Sequence, residues 1–214
     1  MIDIEFKKRL LSSLIILPLT FFFIINGSLI FLIFLIAILI ICIFEWIKMN
    51  TKFELKFLGV LFLCCSFYTF YLIRINNLSV LLFIIAVCIS TDLGGYIFGK
   101  LLKGPKLTKI SPNKTYFGML GGFIFPLLTS YFFFLKYNYM QNDIFIKYNE
   151  EYISFIIIVL IISSVSQIGD LIISYFKRAS KLKNTGNIIP GHGGMLDRVD
   201  GMIFVFPLFY ILNL

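Results

Sequence analysis

Long apolar runs separated by short polar loops are the feature of this chain that most limits its fold. Seven of these runs occupy residues 10–26, 28–48, 56–75, 78–98, 118–136, 152–174 and 201–214. About 20 apolar residues are enough for a helix to cross the hydrocarbon core of a bilayer. Because 59% of the residues are hydrophobic and only 14% are charged, a soluble globular domain is excluded. The sequence therefore predicts an all-α, polytopic transmembrane helical bundle of about seven spans, whose polar cytoplasmic loops form the active site.

The Lys and Arg residues lie mostly in alternate loops. With a cytoplasmic N-terminus, all but three of the 19 Lys and Arg residues fall in cytoplasmic segments; the exceptions are Arg74, Lys136 and Lys147. This distribution predicts a multi-pass membrane protein with its N-terminus on the cytoplasmic side. The polar loops 99–117 and 175–200 are expected on the cytoplasmic side and 137–151 on the other. The net charge of +8 is then explained by topology and anionic headgroups, so nucleic acid is not an expected partner.

The segment 174–200 contains most of the groups that could perform chemistry. Cations, carboxylates and glycines occur together there, a combination typical of phosphate and metal binding. These residues are Lys177, Arg178, Lys181, Lys183, Gly191, His192, Gly193, Gly194, Asp197, Arg198 and Asp200. Asp197 and Asp200 are three residues apart, so they share one face of a helix that begins near Met195. Two such carboxylates favour Mg²⁺ between them. His192 either shapes the turn or contacts phosphate, and Arg198 is either a phosphate ligand or the counter-ion of the aspartates.

A polar stripe runs along the apolar span before this segment. Its members recur every three or four residues: Ser163, Ser166 or Gln167, Asp170, Ser174, and Lys177 or Arg178. Asp170 is the expensive member, since a carboxylate within a membrane span costs about 2.5–3.5 kcal/mol and persists mainly beside a partner, a cavity or an ion. The stripe therefore either forms part of a site or hydrogen-bonds a neighbouring helix.

The segment 174–200 resembles the signature of the phosphatidate cytidylyltransferases, also called CDP-diacylglycerol synthases. That signature reads S-x-hydrophobic-K-R-x₄-K-D-x-small-x₂-hydrophobic-P-x-H-G-G-hydrophobic-x-D-R-hydrophobic-D. The chain matches every fixed position except that Asn184 replaces an Asp, and Phe117 and Ile173 also stand where the family has Glu. The resemblance covers essentially the whole chain and includes Lys8, Arg9, Glu45, Trp46, Asp92, Gly95, Tyr96, Gly99, Lys100, Ile110, Ser111, Pro112, Lys114, Thr115, Gln167, Gly169, Asp170 and Leu171.

The resemblance implies a multi-pass enzyme of the inner, cytoplasmic membrane that condenses CTP with phosphatidic acid, releasing pyrophosphate and leaving CDP-diacylglycerol in the bilayer. It also implies Mg²⁺, with a monovalent cation as an open second ion. Asp170 and Asp197 are the implied metal ligands. The implied catalytic residues are Lys177, Arg178, His192, Arg198 and Asp200. The implied substrate- and cofactor-binding residues are Asp92, Ser111, Lys114, Thr115, Ser174, Gly193 and Gly194.

The apolar runs and the resemblance together predict the domain organisation. Residues 1–214 are expected to form one integral membrane catalytic domain, with helical hairpins over roughly 10–98 and the catalytic part over roughly 90–214. Three other functions stay open: a CTP-dependent lipid-alcohol kinase, a family member impaired by the missing acids, and a transporter or scaffold. Small-xxx-small glycine pairs at 95/99 and 118/122 indicate tight packing within the chain or a homodimer.

Overall fold

The computed structural model describes residues 18–49, 51–108, 111, 114–138, 152–189 and 193–212, with only the backbone described at 134–138, 152 and 154. The described residues form eight helices and no β-sheet. Residues 18–26 are helical (α1). The others are α2 (Ser28–Lys48), α3 (Phe53–Asn76), α4 (Leu78–Leu102), α5 (Tyr116–Asn138), α6 (Tyr152–Ala179), α7 (Leu196–Val199) and α8 (Met202–Ile211).

Five of the described helices, α2 to α6, are long and apolar enough to cross a membrane. The chain is therefore a polytopic helical membrane protein, and these five helices coincide with the predicted spans from 28–48 to 152–174. The predicted span 10–26 lies only partly within the described residues, and its described part is helical.

The predicted seventh span, 201–214, needs correction. Helix α8 has ten residues, so it is about 15 Å long, half of the roughly 30 Å hydrocarbon core. Asp200 and Gly201 both have right-handed helical dihedral angles, which makes α7 and α8 one nearly continuous segment. The final helical segment thus begins at Leu196, close to the predicted Met195, and it carries both Asp197 and Asp200.

Helices α4 and α5 make the most extensive contact in the bundle, because glycines face each other across it. A Cβ atom at Gly118 would lie 2.8 Å from the carbonyl oxygen of Gly95, and one at Gly121 would lie 2.5 Å from that of Gly94. Only glycine permits this separation of the two backbones. The small-xxx-small pattern is therefore used within the chain, and a homodimer stays a prediction.

The first half of the polar stripe on α6 joins neighbouring helices. The hydroxyl of Ser163 donates a 2.5 Å hydrogen bond to the carbonyl oxygen of Gly122 and accepts one of 3.2 Å from Thr91 Oγ1. Gln167 Nε2 also donates to Ser163 Oγ, at 3.3 Å. These bonds satisfy polar groups that the surrounding apolar side chains could not. This half of the stripe therefore hydrogen-bonds neighbouring helices, which is one of the two roles predicted for it.

Both predicted polar loops lie at one end of the bundle. The ends of α2, α4 and α6 meet the starts of α3, α5 and α7 there. Trp46 fastens this end: its indole donates to the carbonyl oxygen of Lys56 at 3.1 Å, and its ring packs edge-on against Phe176 with centroids 5.0 Å apart. At the opposite end, the Arg74 guanidinium donates to the carbonyl oxygens of Ile24 and Ile25.

Candidate active site

The end of α6 places its two basic residues differently. The amide of Lys181 donates to the carbonyl oxygen of Arg178, and that of Leu182 donates to the carbonyl oxygen of Lys177. With Lys181 at a φ of 56°, this is the Schellman arrangement that ends a helix. Lys177 points inward and is buried. Arg178 is exposed, and its guanidinium donates to the Leu182 carbonyl oxygen at 2.8 Å.

Lys177 lies close to both aspartates of the α7–α8 segment, Asp197 and Asp200. Its Nζ atom lies 2.7 Å from Asp197 Oδ1 and 3.9 Å from Asp200 Oδ2. The two carboxylates can face one ammonium group because the helix begins at Leu196, close to the predicted Met195, and places residues i and i+3 on one face. The three side chains therefore form one buried charged cluster.

Asp197 also organises the preceding loop. Its Oδ2 atom accepts hydrogen bonds from the backbone amides of Thr185, at 2.9 Å, and Gly194, at 3.0 Å. Burial acts to raise the pKa of Asp197, but the hydrogen bonds from Lys177, Gly194 and Thr185 outweigh it and hold the pKa below its ordinary value. Asp197 is thus a carboxylate that closes the loop as well as a candidate metal ligand.

Asp170 carries the second ion pair of the site. Lys114 Nζ lies 2.5 Å from Asp170 Oδ2, and Ser174 Oγ donates to Asp170 Oδ1 at 3.2 Å. Lys114 belongs to the loop before α5, so this contact joins that polar loop to the polar stripe on α6. Asp92, on α4, interacts electrostatically with Asp170, Lys114 and Arg198. The second half of the polar stripe therefore belongs to the site, in contrast to Ser163.

Two glycines let α6 approach the α7–α8 segment. A Cβ atom at Gly169 would lie 3.1 Å from the carbonyl oxygen of Asp200, and one at Gly201 would lie 2.9 Å from that of Ser166. This approach brings the Asp170 and Asp200 carboxylates together. Burial and the charge of Asp170 raise the pKa of Asp200 well above its usual range, although Lys177 acts in the opposite direction.

The carboxylates suit a hard cation chemically, but lysines lie against two of them. Asp200 interacts electrostatically with Asp170, Asp92 and Asp197, a set of oxygen donors that Mg²⁺ prefers. Within the described ranges, however, no three His, Cys, Asp or Glu side chains are arranged to hold a metal ion. Instead, Lys114 and Lys177 lie against Asp170 and Asp197. The carboxylate oxygens are therefore of the type that Mg²⁺ prefers, but the described side chains are not arranged around a common metal position.

The remaining predicted site residues have local roles. Gly193, at a φ of 94°, exchanges two backbone hydrogen bonds with Ile189 and so closes a tight turn. Thr115 Oγ1 accepts from the Gly118 amide at the start of α5. The carbonyl oxygen of Ser111 accepts from the amide of Lys114. His192 lies outside the described residues.

Phe117, Ile173 and Asn184, which replace acids of the family signature, lie in three different environments. Ile173 is buried in the hydrophobic core, so an acid there would be surrounded by apolar side chains. The ring of Phe117 lies against Gly104, where a Cβ atom would overlap it. Asn184 is exposed, and its side chain lies beside Gly193, next to Asp197.

An apolar cavity of about 340 Å³ lies on the other side of the α7–α8 segment from the charged cluster. Met195, Arg198, Val199 and Met202 line it from the α7–α8 segment, and their spacing is that of one helical face. Asp197 and Asp200 lie on the opposite face of the same segment. The rest of the lining is mostly apolar and comes from α1 to α4 and α8. Arg198 is the one cation among the described lining residues.

Two residues of this region were missed as site components. Glu45 was noted only within the resemblance, and Thr185 not at all, yet Thr185 Oγ1 donates to Glu45 Oε2 at 2.8 Å and both are buried. Glu45 could have been found, because it is the single acid in the apolar helix α2 and is subject to the same cost as Asp170. Nothing in the local sequence distinguishes Thr185.

The fold and the candidate site define a polytopic helical membrane protein with lysine-paired carboxylates at one end of its bundle. Residues 55–214 match the cytidylyltransferase family, and the chain belongs to that family. Phosphatidate cytidylyltransferases of Staphylococcus saprophyticus, Staphylococcus haemolyticus and Staphylococcus aureus are 39%, 38% and 36% identical to it over 156 residues. Each of these alignments covers 72% of this chain and 56% of the relative's length.

Proposed function

We propose that this chain transfers a cytidylyl group from CTP to phosphatidic acid, giving CDP-diacylglycerol and pyrophosphate for phospholipid biosynthesis. One observation carries the proposal: the pairs Lys114–Asp170 and Lys177–Asp197 lie at the same end of a membrane bundle, next to an apolar cavity. The staphylococcal relatives, which are phosphatidate cytidylyltransferases, support the same reaction. Because this end of the bundle carries most of the Lys and Arg residues, we place it on the cytoplasmic side, where CTP is available.

The chemistry needs two anions to be brought together. An oxygen of the lipid phosphate attacks the α-phosphorus of CTP, the new P–O bond forms, and the bond to the β-phosphate oxygen breaks as pyrophosphate leaves. Catalysis of such a transfer is mostly positioning and neutralisation of charge. Lys114 and Lys177 are held at the site by Asp170 and Asp197. Arg178 adds a third cation at the end of α6.

We assign Mg²⁺ to Asp170 and Asp197, and Asp200 lies close to both. A monovalent cation is an open second ion of the site. When bound, Mg²⁺ would supply positive charge that offsets the negative charge of the phosphates. Asp92, Ser111, Lys114 and Thr115 are assigned to the CTP side, together with Ser174, Gly193 and Gly194. His192 is assigned to phosphate contact.

The lipid is assigned to the apolar cavity. Its lining suits the acyl chains or glycerol backbone of a lipid, and Arg198 provides a cation for the lipid phosphate. The face of the α7–α8 segment that carries Arg198 lies opposite the face that carries the aspartates. Arg198 also interacts electrostatically with Asp92, so a lipid phosphate beside Arg198 would lie at the boundary between the cavity and the carboxylates.

The test uses the full chain purified in detergent, with phosphatidic acid, CTP labelled in the cytosine ring, and Mg²⁺. We expect a lipid-soluble labelled product and one pyrophosphate per product, and Asp170→Asn serves as the inactive control. A lipid-alcohol kinase would instead form CDP and a lipid phosphate from diacylglycerol. If the wild-type chain gives neither product, the proposal is rejected in favour of an impaired family member or a transporter or scaffold.

A further inference from the structure

Glu45 is a buried carboxylate on α2 that contacts the segment 174–200. It lies in the last turn of α2 and is only 2% exposed. Its Oε2 atom accepts hydrogen bonds from Thr185 Oγ1 and from the Leu196 amide, both at 2.8 Å, and its Oε1 atom accepts one from the Met195 amide at 2.9 Å. Three donors from the segment that carries the aspartates thus converge on a single side chain.

These donors include the amides at the start of the α7–α8 segment. The first amides of a helix have no partner within it, and the residue that precedes α7 provides no side-chain cap of its own. Glu45 supplies the acceptors instead, and its negative charge is favourable at that end of a helix. The start of the helix that carries Asp197 and Asp200 is therefore determined by α2.

Two glycines of the segment 174–200 make room for Glu45. A Cβ atom at Gly186 would lie 2.6 Å from Glu45 Oε1, and one at Gly194 would overlap Glu45 Oε2 and Thr185 Oγ1. Gly194 is one of the glycines whose type suggested a phosphate loop. Its lack of a side chain is explained here by the approach of a carboxylate from α2.

The same loop is bound from both sides by carboxylates. Thr185 donates its hydroxyl to Glu45 and its amide to Asp197 Oδ2. Gly194 donates its amide to Asp197 Oδ2, and the next amide, that of Met195, donates to Glu45. Asp197 in turn pairs with Lys177. A continuous hydrogen-bonded network therefore connects Glu45 to Lys177 through Thr185 and Asp197.

We infer that Glu45 is a positioning residue: it holds the loop around Thr185 and the start of α7 so that Asp197 and Asp200 face Lys177. It contacts none of the three directly and acts through Thr185, Met195 and Leu196. Glu45 also lies outside residues 55–214, which match the family, so part of the site's support comes from the N-terminal helices. A test of this role by enzyme activity rests on the proposed function, whereas a test by hydrogen–deuterium exchange does not.

The decisive variant is Glu45→Gln in the full chain. Gln has nearly the same size, but it replaces one acceptor oxygen with an NH₂ donor that would face the amide or hydroxyl donors. We expect hydrogen–deuterium exchange at Thr185 and at Gly194 to Leu196 to become about tenfold faster, because a local hydrogen bond is lost. We also expect kcat to fall about 10- to 100-fold with a smaller change in KM for CTP, since the site residues remain present but are misplaced.

Asn77→Ala is the matched control. Asn77 Oδ1 accepts hydrogen bonds from the Ser79 and Val80 amides at the start of α4, at the opposite end of the bundle. The Asn77→Ala variant loses this helix cap and should have a lower melting temperature. Its hydrogen–deuterium exchange at Gly194 to Leu196 and its kcat should match those of the wild type. Glu45→Asp keeps all the acceptor oxygens on a shorter side chain, and it should restore part of the exchange protection and of kcat.

The outcomes separate the two proposals. Unchanged exchange at Gly194 to Leu196 in folded Glu45→Gln, or equal effects of Asn77→Ala, would overturn the positioning role. If Glu45→Gln does not fold, Thr185→Val removes one donor with little change of shape, and it must accelerate exchange at Gly194 to Leu196 for the inference to stand. A wild-type chain that makes no cytidine lipid would refute the proposed function, while the exchange results would still decide the role of Glu45.

Discussion

Lys177 donates a 2.7 Å hydrogen bond to Asp197, and both side chains are less than a tenth exposed. The pair joins the end of α6 to the start of α7, and its two residues are 20 positions apart in the chain. Neither charge is accessible to much water, so each depends on the other. Removing one partner of such a pair leaves an uncompensated buried charge.

Lys177→Met should therefore destabilise the protein by about 3–5 kcal/mol and reduce turnover more than about 100-fold. Trp46, the sole tryptophan of the chain, packs against Phe176 and can report unfolding in denaturant by fluorescence. The control is Lys183→Met, which removes an exposed cation from the same loop and should leave stability unchanged. A stable, active Lys177→Met variant would contradict the role assigned to the pair.

Asp170→Asn and Asp197→Asn should both remove nearly all turnover, because each takes a negative oxygen from the site assigned to Mg²⁺. Their stabilities should differ. Asp197 accepts hydrogen bonds from Lys177 and two backbone amides, so its variant should have the lower melting temperature. Asp170 is more exposed and should tolerate the change as a folded protein. Turnover near the wild-type rate in either variant would reject the metal assignment.

Lys181→Gly should stabilise the protein by about 0.5–1 kcal/mol, because a side chain in the left-handed region costs about 1–2 kcal/mol and glycine relieves it at some entropic cost. Lys181 has a φ of 56° at the end of α6 and is exposed. Lys181→Ala keeps the Cβ atom and should bring no such gain. The measurement is the melting temperature in detergent, and equal values for both variants would refute the strain argument.

The orientation of the bundle can be tested with impermeant thiol reagents in intact cells. Lys106→Cys and Lys183→Cys, in a background without native cysteines, should be protected from reagent outside the cell. Asn76→Cys, at the opposite end and exposed, should be labelled. The predicted outer segment 137–151 lies outside the described residues, apart from the helical backbone at 137–138. Labelling of Lys106→Cys from outside would place the site away from cytoplasmic CTP.

Asn184→Asp should lower the Mg²⁺ concentration needed for half-maximal rate, because it restores a carboxylate beside Gly193 and Asp197 on an exposed part of the loop. Ile173→Glu is not an equivalent restoration. Ile173 lies in the hydrophobic core, so the variant would bury an unpaired carboxylate and should destabilise the protein. An unchanged Mg²⁺ and CTP dependence in folded Asn184→Asp would show that this position does not contact the metal or CTP.

Part of the site could be predicted from local spacing alone. The three-residue separation of Asp197 and Asp200 predicted their shared face, and α7 begins within one residue of the expected position. The polar stripe on α6 was recognised, but not its division: Ser163 bonds to α4 and α5, while Asp170 and Ser174 enter the site. Periodicity identifies which face of a helix is polar, but it does not state what that face meets.

The sequence by itself determined the class of protein, the five described spans, the family and the identity of the charged groups. These properties depend on the length of apolar runs and on residues close together in the chain. Only the tertiary structure decided that Lys114 pairs with Asp170, that the glycines of α4 and α5 pack against each other, and that Glu45 supports the segment carrying the aspartates. Such contacts join distant residues, and they form only where the packing of whole helices brings their side chains together.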